Sequence, residues 1–435
     1  MDKQERSIYI SLLRREVVPA LGCTEPIAVT LAVANAREAL GAPVARVSTM
    51  MSANIYKNGM GVGIPGTGKT GLPLAAALGV VTGDPRRGLE LLENVTPADV
   101  ERAQELIASG GVEVGIAHDV EKLYVQATVH SDSGATAQCT IRHEHSHVSE
   151  ITKNGVVVYS DTPKSDGDEK TAPTAETVSA RDITVKGIYD FATTAPLEEI
   201  DFILETARMN SAIAREGLSR EYGLQVGKKM REQVEKGLLA DDLLVRAMTV
   251  TAAASDARMA GCTIPVMSNS GSGNQGITAT LPVVVTAERV NASEEQLARA
   301  LTIAHLVAIH IKGYLGRLSA LCGCVVASSG AGCGVAYLLG GGYKEICATI
   351  KNMVGNVTGM VCDGAKVGCA LKVSSGVCSA MQSAFLAKED ICISSNDGII
   401  DDDIERTIQN LGRVGCDGMV QTDDLLLDIM TAKGI

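Results

Sequence analysis

Leu123-Tyr124-Val125-Gln126-Ala127-Thr128-Val129 is a β-type run, dense in the β-branched and aromatic side chains that fit a pleated surface. Val112-Glu113-Val114 before it and Val156-Val157-Val158-Tyr159 after it read the same way, with helical stretches near 71–80 and 97–109 upstream. Residues 42–160 are therefore expected to form a small α/β module. Residues 161–178, rich in Asp, Lys, Pro, Ser and Thr, read as a solvated linker. From 179 to 435 the pattern is mostly helical, with candidates at 182–192, 197–216, 224–238, 241–259, 293–316, 345–354, 376–388 and 401–411. The predicted class is α+β: a mostly helical domain, taken to be the catalytic one, with an inserted smaller α/β module.

The first 41 residues read as two helices. One covers 7–18, with Ile8, Leu12 and Val17 on one face, and stops near Pro19. The other starts at Thr24-Glu25-Pro26, with Thr24 as N-cap, an acid in the first turn and a proline where a missing N–H costs nothing, and ends at Leu40-Gly41. Cys23 then sits just outside a helix N-terminus, where oriented N–H groups favour a thiolate and should lower its pKa. Because Cys23 precedes the module and most other cysteines follow it, residues 1–41 are expected to pack with the helical domain.

The 435-residue chain is 46% hydrophobic, enough for sizeable cores, which excludes disorder as the dominant state. With 39 Lys and Arg against 51 Asp and Glu its net charge is −12, and no basic run offers phosphate contacts, so no nucleic-acid partner is expected. Aromatic residues make up only 3%, too few for base-stacking platforms, and the core must be built from small and aliphatic side chains. A small-molecule enzyme fits this composition. The charged start, Met1-Asp2-Lys3-Gln4-Glu5-Arg6, leads into an amphipathic stretch rather than a signal peptide, so the protein is expected in the cytoplasm, with its 12 cysteines as thiols or metal ligands. From Leu318 to Tyr343 no residue is charged, yet the run is Gly, Ala, Ser and Cys rather than Leu and Ile. It reads as a buried segment packed close to a neighbour, not a membrane span.

Several motifs carry chemistry. Gly63-Ile64-Pro65-Gly66-Thr67-Gly68-Lys69-Thr70 matches the P-loop pattern, but a P-loop must follow a buried strand, and Asn54-Ile55-Tyr56-Lys57-Asn58-Gly59-Met60 is not one. The nearest acid after an apolar run, Glu288 after Leu281-Pro282-Val283-Val284-Val285, is far away in sequence. A nucleotide-binding protein is thus retained only as a second alternative. His143, His145 and His147 alternate, so on a strand they share a face; neighbours there stand nearly 7 Å apart, which suits a solvated edge better than zinc, though His145 could reach a site. His305 and His310, five apart, read as ordinary helix residues.

Met267-Ser268-Asn269-Ser270-Gly271-Ser272-Gly273-Asn274-Gln275-Gly276 packs hydroxyls, carboxamides and flexible backbone between apolar flanks. Such a loop can surround a carboxylate with donors, so Ser268, Asn269, Ser270, Ser272, Asn274 and Gln275 are the candidate substrate contacts. Nine of the cysteines fall between Cys322 and Cys416, with Cys322-Gly323-Cys324 and Cys362 to Cys369 among small residues. No C-x-x-C occurs, which disfavours zinc ribbons and thioredoxin-type sites. Thiolates at wider spacing suit an iron-sulfur cluster with one open iron, against the alternative of free thiols in a small-residue core.

Ala20-Leu21-Gly22-Cys23-Thr24-Glu25-Pro26, Asn58-Gly59-Met60-Gly61-Val62 with Pro65-Gly66-Thr67-Gly68, Ala254-Ser255-Asp256-Ala257-Arg258-Met259, Ser268 to Thr278, and Cys362-Asp363-Gly364-Ala365 with Cys369-Ala370-Leu371-Lys372-Val373-Ser374 together resemble the L-cysteine desulfidase family of bacteria and archaea. That family is related to the α-chain of the iron-sulfur L-serine dehydratases. The resemblance spans nearly the whole chain. It implies a [4Fe-4S] cluster held by Cys322, Cys362 and Cys369, with Cys324 a close neighbour outside the pattern, and Cys23 as the catalytic proton acceptor. It further implies a small amino-acid substrate, L-cysteine converted to sulfide, ammonia and pyruvate without PLP, or else L-serine or another β-substituted amino acid. No membrane partner is implied, and the small-residue segments are compatible with a homodimer.

Overall fold

The computed structural model describes residues 1–161, 178–316 and 319–432. The chain begins with α1 (Lys3–Glu16), β1 (Pro19–Ala20) and α2 (Thr24–Leu40). There follow β2 (Arg46–Ser52), α3 (Ala53–Gly59), β3 (Gly63–Ile64), β4 (Lys69–Thr70), α4 (Leu72–Val81), α5 (Pro97–Ala108), β5 (Val112–Ala117), β6 (Tyr124–His130), β7 (Thr136–Arg142), β8 (Val148–Lys153) and β9 (Val156–Ser160). The rest is helical apart from β10 (Val266–Met267): α6 (Val185–Thr194), α7 (Leu197–Ile200), α8 (Leu204–Ser219), α9 (Val226–Glu235) and α10 (Leu243–Met259) precede it. After it come α11 (Gly273–Val290), α12 (Glu294–Leu315), α13 (Gly323–Leu338), α14 (Tyr343–Val357), α15 (Cys369–Lys388), α16 (Ile404–Arg413) and α17 (Val420–Thr431). The class is α+β, as the periodicities predict.

The sheet has six strands in the order β5-β2-β6-β7-β8-β9. Only β2 and β5 pair in parallel, and α3, α4 and α5 supply the crossover that a parallel pair requires. The run 123–129 becomes β6, inside the sheet, where Val125, Ala127 and Val129 point to the face that α2 and α4 cover with Ile27, Leu31, Leu74 and Leu78. The first 41 residues do not group as one unit. Tyr9, Leu12 and Leu13 of α1 enter the core of the helical domain, whereas α2 is apolar nearly all round and lies on the sheet. The start of α2 meets the helical domain, where Cys23 packs on Met259 and Thr24 Oγ1 donates to the Gly271 carbonyl at 3.1 Å. The linker read at 161–178 lies, apart from its two ends, outside the described residues.

The helical domain is built around α13, with α11, α12, α14 and α15 against it. This is the uncharged, small-residue run, and among the described residues no helix is long and apolar enough to cross a membrane. Small side chains are required here because the backbones nearly touch: a Cβ on Gly330 would lie 2.2 Å from the Ala304 carbonyl oxygen of α12. Sequence periodicity misses α13 because it is apolar on every side and carries no polar stripe to set a phase, and α11 because it opens in the glycine-rich loop and carries Pro282 in its interior. The apolar run 281–285 lies within α11 with Pro282 inside the helix. Gly330→Ala forces α12 and α13 apart and is expected to lower unfolding stability by about 1–3 kcal/mol. Gly359→Ala, whose added methyl meets nothing within 4 Å, leaves thermal and chemical denaturation unchanged.

Candidate active site

One cavity of about 110 Å³ lies where α2, the 267–276 loop, the start of α13 and the 362–369 segment converge. Cys322 is the N-cap of α13 and Cys369 opens α15. Cys362 is brought to Cys322 by a short antiparallel pairing: the Cys322 amide donates to the Met360 carbonyl at 2.9 Å and the Cys362 amide to the Ala320 carbonyl at 2.7 Å. The three cysteines named by the resemblance thus line one wall of the cavity, and small residues Gly323, Gly364 and Ala365 leave room beside them.

The thiols differ in electrostatics. The neighbouring Cys322 thiol, with Lys57 and Lys372 nearby, holds Cys362 below the usual thiol range, and Cys362 together with burial raises Cys322. Lys57 is itself buried, ion-paired to Asp423 of α17, and within 3.4 Å of the Cys362 carbonyl. Cys324 is also on the wall, but burial pushes its pKa up to about 12 and its thiol donates to the Lys372 carbonyl at 3.2 Å, across the α13–α15 contact. Among the described residues no three Cys, His, Asp or Glu side chains converge tightly enough for a single metal ion. A donor set of soft thiols, one of them acidified, in a small-residue pocket fits a larger iron-sulfur group.

Cys23 faces this wall from the N-cap of α2. Its pKa does not fall as the helix-terminus argument predicts. Burial, and next the Glu25 carboxylate, raise it well above the ordinary value. The Cys23 thiol donates to Glu25 Oε2 at 2.8 Å, and Thr24 Oγ1 donates to the same oxygen at 3.2 Å. Asn58 Nδ2 donates to Glu25 Oε1 at 3.2 Å, and His145 Nε2 stands 3.9 Å from that oxygen. Burial alone would raise Glu25; His145, the Cys23 thiol and Arg258 outweigh it and keep the carboxyl below its usual range. The resting pair is a thiol beside a carboxylate, with the proton on sulfur.

Of the predicted substrate contacts, Ser270, Ser272, Asn274 and Gln275 line the cavity. Ser268 and Asn269 lie behind it and hold the loop. Ser268 Oγ donates to the Val18 carbonyl at 2.7 Å, and Asn269 Nδ2 reaches His305 Nδ1 at 3.0 Å and its carbonyl at 3.2 Å. His305 is fully buried on α12, its Nε2 3.1 Å from Thr280 Oγ1, and burial lowers its pKa to about 3. An imidazole kept neutral in the fold but protonated when unfolded adds stability that is full above about pH 6.5 and is lost as pH falls toward 3. His305→Gln is therefore expected to flatten the fall in stability across that window, read as the difference between wild-type and variant denaturation curves at pH 4, 5, 6 and 7.

Two other motifs take different forms. His143, His145 and His147 are not on a strand: they occupy the turn between β7 and β8, where only His145 is buried and enters the cavity wall. The P-loop match folds as the β3–β4 hairpin, preceded by α3 instead of a buried parallel strand, with Lys69 and Thr70 exposed. It lacks the strand-to-helix geometry that cradles phosphate. Sequence reasoning overlooked Glu25, Asn58 and Arg258 as site residues. Glu25 reads as a helix-start acid; the signal for all three was their place inside the motifs that carry the resemblance, Cys23-Thr24-Glu25-Pro26, Asn58-Gly59-Met60 and Asp256-Ala257-Arg258.

Comparison with known proteins gives the family. Over its full length the chain is 52% identical to a UPF0597 protein of Oleidesulfovibrio alaskensis (100% of each chain). It is 50% identical to a UPF0597 protein of Phocaeicola vulgatus (99% of each chain) and 47% identical to one of Bacteroides thetaiotaomicron (100% of each chain). Residues 86–428 match the family model described as serine dehydratase alpha chain, a span that takes in the 267–276 loop, Cys322, Cys362 and Cys369 and most of α17. The chain belongs to the serine dehydratase alpha-chain family, a membership that implies an ammonia-lyase of the iron-sulfur type.

Proposed function

We propose that this protein is a cytoplasmic, PLP-independent carbon-sulfur lyase that converts L-cysteine to sulfide, ammonia and pyruvate. The observation that carries the reading is a single small cavity with the Cys23–Glu25 pair on one wall and Cys322, Cys362 and Cys369 on the other. Those three cysteines would hold a [4Fe-4S] cluster, which when bound supplies an open iron as a Lewis acid toward the departing β-substituent. The motifs around Cys23, Arg258 and Cys362 support cysteine as substrate through their resemblance to cysteine desulfidases. With a net charge of −12 and no basic run, the partner is a small amino acid and neither nucleic acid nor membrane.

The chain's own residues move the protons. Glu25 accepts the Cys23 proton along their hydrogen bond, and the thiolate so formed removes the substrate's Cα proton. The proton held by Glu25 then passes to the leaving sulfide, so charge on the pair is restored. The aminoacrylate left behind tautomerises to an imine and hydrolyses in water to pyruvate and ammonia. Ser270, Ser272, Asn274 and Gln275 hold the amino acid against Cys23. The family match favours one second reading, the same elimination on L-serine with hydroxide as leaving group.

The test is anaerobic reconstitution with iron and sulfide, followed by sulfide and pyruvate assays on L-cysteine and L-serine side by side. Sulfide and pyruvate in equal amounts from L-cysteine are expected, with Cys23→Ser and Glu25→Gln each lowering kcat by about 10²–10⁴-fold while the visible absorbance is retained. Pyruvate from L-serine alone would transfer the assignment to the second reading; no product from either would overturn both.

A further inference from the structure

Arg258 poses an electrostatic problem that the proposed proton transfers do not solve. It stands on α10, is 3% exposed, and lines the cavity with Cys23 and Ser272. Among the described residues its guanidinium makes one hydrogen bond, Nη2 to the Gly22 carbonyl at 2.7 Å, and no ion pair. Its Nε is buried without any partner. A guanidinium has five N–H donors in a planar fork and stays charged in proteins. Burying that charge with a single carbonyl for company is costly unless an anion completes the site.

The nearest acid does not complete it. Glu25 feels Arg258 only through space, because its two oxygens are already taken by Cys23, Thr24 and Asn58. The loop is shaped around the arginine instead. Gly273 lies flat against it, so a Cβ there would come within 2.2 Å of Nε and 2.7 Å of Cζ. Acceptors are also left over on the cavity wall: Asn58 Oδ1, Asn274 Oδ1 and Gln275 Oε1 are buried with no donor. An unpaired cation together with unpaired carbonyl oxygens, in a cavity far smaller than the roughly 300–1,000 Å³ of drug-sized pockets, calls for a small ligand that carries both an anion and an N–H-rich cation.

We propose that Arg258 binds the α-carboxylate of the substrate, with the orphan amide oxygens facing its ammonium, so that a free α-amino acid completes the site. This deepens the lyase reading and rests on it for the identity of the cavity. It also moves the carboxylate from the Ser268–Gly276 loop alone to the arginine that the loop covers. A compound with the same amine and no carboxylate leaves the guanidinium unpaired and is rejected.

The test measures binding, so it is independent of turnover. L-alanine, which has no β-leaving group, and ethylamine, which lacks the carboxylate, are titrated by calorimetry into the full reconstituted chain and into Arg258→Gln and Arg258→Lys. Wild type is expected to bind L-alanine and not ethylamine. Arg258→Gln should weaken L-alanine by at least about 30-fold, as loss of a buried charge partner does, and Arg258→Lys should recover part of that loss. Unchanged L-alanine affinity in Arg258→Gln, equal binding of ethylamine by wild type, or no L-alanine binding by wild type each overturns the proposal. If Arg258→Gln does not fold, the Arg258→Lys comparison and the wild-type selectivity against ethylamine decide it. Wild type that releases sulfide from L-cysteine while Arg258→Gln binds L-alanine normally sinks this inference and leaves the lyase reading standing. Binding that depends on Arg258 in a chain that releases no product from either amino acid does the reverse.

Discussion

A thiol and a carboxylate held 2.8 Å apart and away from water set the terms for everything around them. Burial makes a free Cys23 thiolate costly, and the same burial makes an isolated Glu25 carboxylate costly. The pair is tolerable because each relieves the other and because the surroundings supply what is missing: Asn58 from α3, His145 from the β7–β8 turn, and the positive field of Arg258 from α10. Those three residues come from both modules. The Cys23–Glu25 contact therefore requires the sheet and the helical domain to close on the same point, and the cavity forms at that point.

The opposite wall follows from a different constraint, the close approach of glycine-rich helices. Because α13 can lie almost in backbone contact with α12, its N-terminus can sit deep in the domain, and Cys322 with it. A two-residue antiparallel bridge then carries Cys362 alongside, and α15 starts at Cys369 on the same wall. Lys57 links this wall to the C-terminal helix: it contacts the Cys362 carbonyl and pairs with Asp423. Acidification of Cys362 thus depends on a residue from the α/β module as well as on its neighbour Cys322.

Much of this was readable in the sequence, and the parts that were not share a cause. The run at 123–129 marked the sheet, and the small-residue run after Leu318 marked a tightly packed buried element, because both are local composition signals. The cysteine wall was legible through motif resemblance, and the carboxamides Asn274 and Gln275 through the density of polar side chains in an uncharged loop. What failed depended on burial. The helix-terminus argument for Cys23 is a statement about a solvated thiol, and desolvation beside Glu25 reverses its sign. Ser268 and Asn269 looked like ligand contacts but anchor the loop to Val18 and His305, and nothing local tells a residue that faces a cavity from one that braces it. Glu25 was hidden because its importance comes from the buried partners the fold gathers on it, and Arg258 because its importance comes from what fails to pair with it, both properties of the folded neighbourhood alone.

The account's central claim is that the wall formed by Cys322, Cys362 and Cys369 holds an iron-sulfur cluster facing Cys23. Its most direct measurement is the near-ultraviolet to visible spectrum and iron content of the anaerobically reconstituted chain, with Cys322→Ser and Cys324→Ser alongside. The account predicts a brown, oxygen-sensitive protein with about four irons per chain, abolished or strongly reduced in Cys322→Ser and retained in Cys324→Ser. A colourless wild-type chain, or a cluster that survives Cys322→Ser and is lost in Cys324→Ser, would contradict it.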